Sequence, residues 1–160
     1  MKLVKPCYKY KNSYLKSIKN IGFHINFYRP NESFYKMIKR LNNRSKGIGL
    51  SRNDVKSNFY WIVVNKDIVG YIDMRLEDSK LGHVGYMIFE KYRNKGYATL
   101  ALSLVIRKYK KLGFKKIYIL CLENNISSIN VIRKNNGILV EEIKNYDNNN
   151  SLLKFEVKSI

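Results

Sequence analysis

One strand–turn–helix segment in the middle of the chain limits the folds that the sequence can adopt. An apolar run from His83 to Phe89 leads into a glycine-containing turn, and a helix-spaced stripe of apolar residues follows and stops at Gly113. The next run, Lys116–Leu122, is almost continuously apolar, as strands buried on both faces are. This order of strand, helix and buried strand predicts a βαβ crossover within an α/β sheet.

The turn itself, Arg93-Asn94-Lys95-Gly96-Tyr97-Ala98, predicts a binding site for an anion. A helix N-terminus carries free backbone N–H groups and the positive end of the helix dipole, and both favour a phosphate or pyrophosphate. Gly96 has no Cβ, so a ligand can approach its backbone closely, while Arg93 and Lys95 add positive charge. We call the backbone of residues 94–98 the anion cradle.

The remaining segments predict elements that surround this crossover. Phe59–Val64 and Ile68–Leu76 form a hairpin through the turn Asn65–Asp67, and we expect His83–Phe89 to be the next antiparallel neighbour. The other expected elements are strands at Lys2–Lys5, Ile138–Ile143 and Leu152–Val157, a turn at 147–150, and helices from Ser13 to about Ile21, from Asn31 onward and at Ser127–Asn135.

Length and composition indicate one domain, residues 1–160, in a reducing, cytoplasmic compartment. The chain is 45% hydrophobic, which supplies a core at this size, but no apolar run approaches the roughly 18 residues of a membrane span. The N-terminus lacks the apolar segment of a signal peptide. Cys7 and Cys121 are too few for a disulfide framework and match no metal-ligand spacing, so we predict no metal site.

The formal charge of +19 has two explanations. Residues 1–58 hold fourteen Lys or Arg against Glu32 and Asp54, an excess that can steer anionic cofactors or RNA. Alternatively the whole chain is biased in composition, since lysine outnumbers arginine 23 to 8. We favour bias and keep nucleic acid as the alternative partner.

The turn and a second segment resemble a known family. Arg93–Ala98 resembles the Arg/Gln-x-x-Gly-x-Gly/Ala signature of the GNAT superfamily of N-acetyltransferases, and Tyr86-Met87-Ile88 resembles the strand before it. Asn125-Ile126-Ser127-Ser128-Ile129, followed by a helix and Asn136-Gly137, is similar to the family's second cofactor motif. The stretch from His83 to Ala98 is especially similar to a bacterial subgroup of predicted acetyltransferases.

The resemblance implies a fold and a co-substrate. The fold is α/β (α+β), with a mixed, mostly antiparallel sheet of six to seven strands splayed at the βαβ crossover and about four helices. Acetyl-CoA would be the acetyl donor, with its pyrophosphate on the anion cradle and with Arg93 and Lys95 adding charge. Its pantetheine arm would lie against the strand end at residues 87–89, where the N–H of Ile88 polarises the thioester carbonyl. The cofactor-binding residues would be Met87, Ile88, Phe89, Arg93, Asn94, Lys95, Gly96, Tyr97, Ala98, Asn125 and Ser128.

Two proton transfers need side chains. An acceptor ammonium with a pKa near about 10 must lose a proton before attack, and His83 is our first candidate for the base. Strand alternation places His83 on the face opposite the reacting carbon unless a bulge shifts it, so Asp73 or a water relay stays open. The family often protonates the leaving thiolate with a tyrosine, but Ile132 occupies that position, and Tyr86 or Tyr118 is the substitute.

The expected function is direct transfer of an acetyl group to a primary amine of a small molecule, protein or peptide. Two alternatives remain, an RNA- or ribosome-associated acetyltransferase and a non-catalytic acetyl-CoA-binding module. Acceptor contacts are expected from residues 22–58 and from the terminal hairpin. We expect a monomer or homodimer and no membrane partner.

Overall fold

The structure is a computed structural model that describes residues 1–19, 29, 31–52, 54–77, 79–144 and 151–159. Short 3₁₀ turns precede α1 and follow α2 and β4. The helices and strands are β1 Lys2–Val4, α1 Lys11–Lys19, α2 Phe34–Asn43, β2 Ser57–Val64, β3 Asp67–Arg75, β4 Val84–Ile88, α3 Tyr97–Lys111, β5 Lys116–Leu122, α4 Ile126–Arg133, β6 Ile138–Ile143 and β7 Leu152–Lys158.

Two antiparallel sheets carry the fold. The first has the order β1-β2-β3-β4 and the second the order β5-β7-β6. The predicted hairpin is β2–β3, and its turn residues Asn65 and Lys66 have φ values of 46° and 72°, the positive values that tight hairpin turns require. The predicted antiparallel pairing of β3 with β4 is confirmed, with Tyr71 opposite Met87. The predicted fold class is therefore confirmed, with seven strands and four α-helices among the described residues.

The sheets meet at one point between β4 and β5. The N–H of His83 donates to the carbonyl of Tyr118 over 2.6 Å, and no ladder continues from there along the two strands. Gly82 lies beside this contact with φ of +68°, and a Cβ there would come within 2.8 Å of the Tyr118 carbonyl oxygen. The crossover strands therefore splay, and each sheet is antiparallel within itself.

Apolar side chains fill both faces of the first sheet. On one face, β2–β4 pack against α3 and α4, with Leu102 and Ile132 wholly buried. On the other face an aromatic cluster packs under α1 and α2, where the Trp61 ring stacks on Tyr14 at 5.7 Å and on Phe34 at 6.1 Å. Both faces of β2 and β3 are covered, which fixes β4 at the edge of a rigid sheet.

Two predicted helix starts were wrong. Asn31 does not open α2; it has φ of 65°, and Ser33 caps the helix by accepting the N–H of Lys36. Ser13 lies inside α1 instead of capping it, and its hydroxyl accepts the N–H of Ile68 over 2.7 Å. In both cases the serine hydroxyl accepts a backbone N–H, that of Lys36 for Ser33 and that of Ile68 for Ser13. The end predicted for the first helix near Ile21 and the turn at 147–150 lie outside the described residues.

Candidate acetyl-donor and active site

The anion cradle has the geometry of an anion-binding helix start. Asn94 and Gly96 both have left-handed backbones, with φ of 60° and 75°, which turn the chain sharply into α3. The first intrahelical bond of α3 is that from Leu100 N to Gly96 O, and no side chain caps the helix at Gly96. The N–H groups of the first turn are therefore directed outward, as an anion site requires.

Space and charge at the anion cradle suit a phosphate group. No heavy atom lies within 4 Å of the position that a Cβ on Gly96 would occupy, so the surface is open there. Lys95 is exposed. Arg93 folds back, and its Nε donates to the carbonyl of Ile88 over 3.3 Å, so it links the anion cradle to the end of β4.

The free edge of β4 continues the same surface. Phe89 N donates to Val69 O over 2.9 Å, so Phe89 and, two residues back, Met87 direct their backbone groups toward β3. Tyr86 and Ile88 must then direct their N–H and C=O groups away from β3, toward the splay. An extended ligand arm can pair there with the N–H groups of Ile88 and Tyr86, whereas the Ile88 carbonyl accepts from Arg93. The backbones of Met87 and Phe89, which the sequence placed in the same site, are used within the protein.

A tyrosine and a serine meet across the splay. The Tyr86 hydroxyl lies 2.7 Å from the Ser128 hydroxyl and thereby connects β4 with the first turn of α4. Burial raises the pKa of Tyr86 to about 12, so the phenol keeps its proton at neutral pH. Asn125 orients this turn, because its side-chain oxygen accepts the N–H of Ser128 over 3.1 Å. The two hydroxyls therefore form a hydrogen-bonded link between β4 and α4 at the splay.

His83 has a structural role at the contact between the sheets. Its Nδ1 accepts the backbone N–H of Tyr118 over 3.0 Å, and its ring lies against Tyr109, Phe114 and Tyr118. The residue is 5% exposed. The Nδ1 lone pair that a base would use already holds a backbone proton donor, so this geometry argues against the base role.

Asp73 is the buried carboxylate nearest to β4. It is 1% exposed, and within the described part of the chain neither of its oxygens has a hydrogen-bond partner. Arg75 Nε and Arg44 Nη2 lie 3.8 and 3.9 Å from its Oδ2. Asp73 faces Gly85 of β4 in the ladder and lies on the α2 side of the sheet, opposite the side that Tyr86 occupies.

Sequence reasoning missed one residue of this arrangement, Arg44, and the backbone conformation of another, Asn94. Arg44 comes directly after α2 in the sequence, and no local sequence pattern predicts its ion pair with Asp73 on β3. Asn94 was assigned for its N–H alone, although the Asn-x-Gly spacing of two turn formers signals its left-handed backbone. Ile132, at the position of the family tyrosine, is wholly buried and supplies no acid.

Other site classes find no support in the described ranges. No group of three or more His, Cys, Asp and Glu side chains there is arranged to hold a metal ion. Of the helices that the structure describes, none has the length and apolarity to cross a bilayer.

Comparison with solved structures gives the same fold in several acetyltransferases. The microcin C7 self-immunity acetyltransferase MccE, in complex with acetyl-CoA and AMP, superposes with a TM-score of 0.71 at 16% identity over 98% of this chain and 91% of that one. A GNAT family acetyltransferase from Elizabethkingia anophelis with acetyl-CoA bound gives 0.56 at 19% identity over 64% and 76%. The Salmonella typhimurium acetyltransferase that modifies the N-terminal serine of ribosomal protein L7/L12 gives 0.60 at 17% over 79% and 76%.

Sequence comparison identifies the family independently. Among curated proteins, none matches the chain. The family model described as an acetyltransferase (GNAT) domain matches residues 21–137, which include the anion cradle, β4 and α4. Because the match covers most of the sequence and the fold agrees with it, the chain belongs to the GNAT acetyltransferase family.

Proposed function

We propose that this protein transfers the acetyl group of acetyl-CoA directly to a primary amine. One observation carries the proposal: among the described residues, no side chain caps the start of α3 and no strand covers the outer edge of β4, the strand that precedes it. The first feature suits a pyrophosphate and the second an extended amide-containing arm. Acetyl-CoA has both parts and supplies the activated acetyl thioester. Its presence in MccE and in the Elizabethkingia anophelis protein supports the choice of donor.

Different residues bind acetyl-CoA and orient its thioester. The N–H groups of the anion cradle, residues 94–98, hold the pyrophosphate, while Arg93 and Lys95 supply charge. Ile88 offers its N–H at the splay, where it stabilises negative charge on the carbonyl oxygen during transfer. Asn125 fixes the first turn of α4 and hence Ser128, so its contribution passes through that side chain.

Tyr86 is the proposed proton donor to the leaving thiolate. Its phenol is protonated at neutral pH, and the hydrogen bond to Ser128 fixes it at the splay. Ser128 either relays this proton to the thiolate or orients the Tyr86 phenol through their hydrogen bond. This assignment fills the role that Ile132 cannot perform.

Asp73 is the proposed proton acceptor, reached through a water molecule. Its oxygens accept no hydrogen bond from the described residues, and its Oδ2 forms ion pairs with Arg75 and Arg44 at 3.8 and 3.9 Å. Asp73 and Tyr86 lie on opposite faces of the sheet, which separates removal of the amine proton from protonation of the thiolate. His83 is the weaker candidate because its Nδ1 is occupied.

The pH dependence of an Asp73 variant tests the assignment of Asp73 as proton acceptor. Asp73→Asn should lower kcat about 100-fold at neutral pH, the effect of losing a general base. The loss should shrink as pH rises toward about 10, because the free acceptor amine is then increasingly neutral and needs no base. Rates are measured from pH 6 to 10 by thiol release, and thermal unfolding confirms that the variant is folded.

A purely structural role for Asp73 would instead lower the rate by one factor at every pH, and that result would contradict the assignment. His83→Ala is the comparison variant, for which we expect a pH-independent change. If His83→Ala shows the pH-dependent loss and Asp73→Asn does not, the two roles must be exchanged.

The acceptor and the compartment are further parts of the proposal. The related proteins act on a ribosomal protein N-terminus in one case and contain AMP in another, so peptides with free N-termini and nucleotide-linked amino groups are the first acceptors to test. Polyamines and aminoglycosides extend the range of amines. We place the reaction in the bacterial cytoplasm, where acetyl-CoA is available.

The experiment is thiol release from acetyl-CoA against this panel of amines, with acetyl-CoA binding measured separately by calorimetry. Turnover with at least one amine supports the enzyme. Binding without turnover on any of them favours a non-catalytic acetyl-CoA-binding module, and absence of binding contradicts the proposed donor.

A further inference from the structure

Two lysines from distant parts of the chain converge on one aromatic ring. Lys5 follows β1, and its Nζ lies 4.9 Å from the centre of the Tyr60 ring. Lys108, on the last turns of α3, places its Nζ 5.0 Å from the same ring. Tyr60 belongs to β2 and packs against the α3 side of the core, so the fold places both ammonium groups beside the same ring. We call Lys5 and Lys108, the two lysines beside Tyr60, the lysine face.

The positive charge of this pair is not neutralised locally. Lys5 donates to the amide oxygen of Asn58 over 2.6 Å, a neutral partner. Among the residues that the structure describes, neither Lys5 nor Lys108 belongs to an ion pair. Burial and the charge of Lys108 lower the pKa of Lys5, whereas the charge of Asp73 opposes this shift. Two like charges beside one ring repel each other, and negative charge placed near both reduces that repulsion.

The excess of positive charge extends beyond the pair and is segregated in the fold. Residues 91–115, which include α3, contain eight Lys or Arg and no Asp or Glu, and residues 1–31 contain no Asp or Glu either. On the second sheet, by contrast, lysines are paired with carboxylates: Lys116 with Glu156 and Lys154 with Glu141, both at 3.0 Å. A uniform compositional bias does not predict that lysines are paired with carboxylates on the second sheet while the segments around the lysine face lack carboxylates.

We propose that the lysine face binds the phosphate backbone of RNA. Closely and evenly spaced phosphates can contact several lysines at once, whereas the carboxylates of an acidic protein have no such regular spacing. Lys108 lies twelve residues after Gly96 along α3, about 18 Å at 1.5 Å per residue. RNA can therefore bind together with acetyl-CoA. The inference is independent of the proposed function, because it uses none of the residues assigned to transfer.

The test compares two double variants of the full chain that lose the same charge. Lys5→Gln with Lys108→Gln removes the converging pair, and Lys116→Gln with Lys154→Gln removes two lysines from the second sheet. The control is closely matched, since Lys154 also lies over an aromatic ring, Tyr118, at 5.0 Å. Binding to a labelled single-stranded RNA is followed by fluorescence anisotropy across a salt series, and thermal unfolding verifies both variants.

The lysine-face variant should bind RNA about tenfold more weakly near 0.1 M salt, and its log–log salt slope should fall by roughly 1.4 for two lost phosphate contacts. The control should stay within about twofold of the unchanged chain. Lys5→Arg with Lys108→Arg should retain binding, since charge is kept. Equal losses in the two Gln variants, no RNA binding by the unchanged chain, or equally tight binding of polyglutamate would each overturn the proposal.

Discussion

Gly96→Glu should weaken acetyl-CoA binding by at least about 100-fold, close to 2.7 kcal/mol. Gly96 has φ of +75°, so any side chain there is strained, and the added carboxylate would enter the open space in front of the anion cradle. Its negative charge would repel the pyrophosphate at the point where the α3 dipole attracts it. Calorimetric titration with acetyl-CoA measures the loss.

Gly113→Glu is the matched control for this change. Gly113 follows the other end of α3, has φ of +81°, and likewise has no heavy atom within 4 Å of a Cβ position. The two variants therefore share added bulk, added charge and backbone strain, and differ in which end of the helix they occupy. Unchanged acetyl-CoA affinity in Gly96→Glu, or equal losses in both variants, would contradict the site.

Tyr86→Phe should lower kcat about 100-fold while acetyl-CoA affinity stays within about twofold. The variant keeps the ring and loses the hydroxyl that lies 2.7 Å from Ser128. Burial raises the pKa of Tyr86 to about 12, so this phenol stays protonated over the whole working pH range. Steady-state rates together with calorimetry separate the loss of proton transfer from a loss of binding.

Tyr118→Phe provides the comparison, since Tyr118 is the other tyrosine that the sequence offers as an acid. Its ring lies against His83 and beneath Lys154, away from Ser128. We expect nearly full activity from Tyr118→Phe. If Tyr86→Phe keeps the full rate, or if Tyr118→Phe loses as much activity, the proton donor has been assigned to the wrong side chain.

The elements that the sequence predicts well are those set by local patterns. The Asn65-Lys66 turn and the strands on either side follow from turn chemistry and apolar runs within a few residues. α3 follows from a helical stripe between the anion cradle and Gly113. The start of α2 was misplaced because Asn31 and Ser33 both suit a cap, and the choice between them depends on the backbone that the tertiary structure allows.

The parts that the sequence could not provide depend on contacts between distant segments. The hydroxyl pair of Tyr86 and Ser128 joins residues 42 positions apart. The position of His83 on a strand predicts a base, but its Nδ1 accepts the Tyr118 N–H, which comes from the other sheet. Arg44 reaches Asp73 only because the segment after α2 folds over the sheet. Periodicity gives the face of an element and carries no information about its partner.

Amide hydrogen exchange with and without acetyl-CoA tests the two parts of the donor site, the anion cradle and the edge of β4, in one experiment. The N–H groups at the start of α3 lack helical acceptors and should exchange fast in the free protein. At saturating acetyl-CoA, verified by calorimetry, we predict slower exchange at residues 95–98 and at Tyr86 and Ile88, and no change near Lys111. Saturation that leaves these amides unprotected, or that protects a different surface, would contradict the proposed binding of the thioester donor.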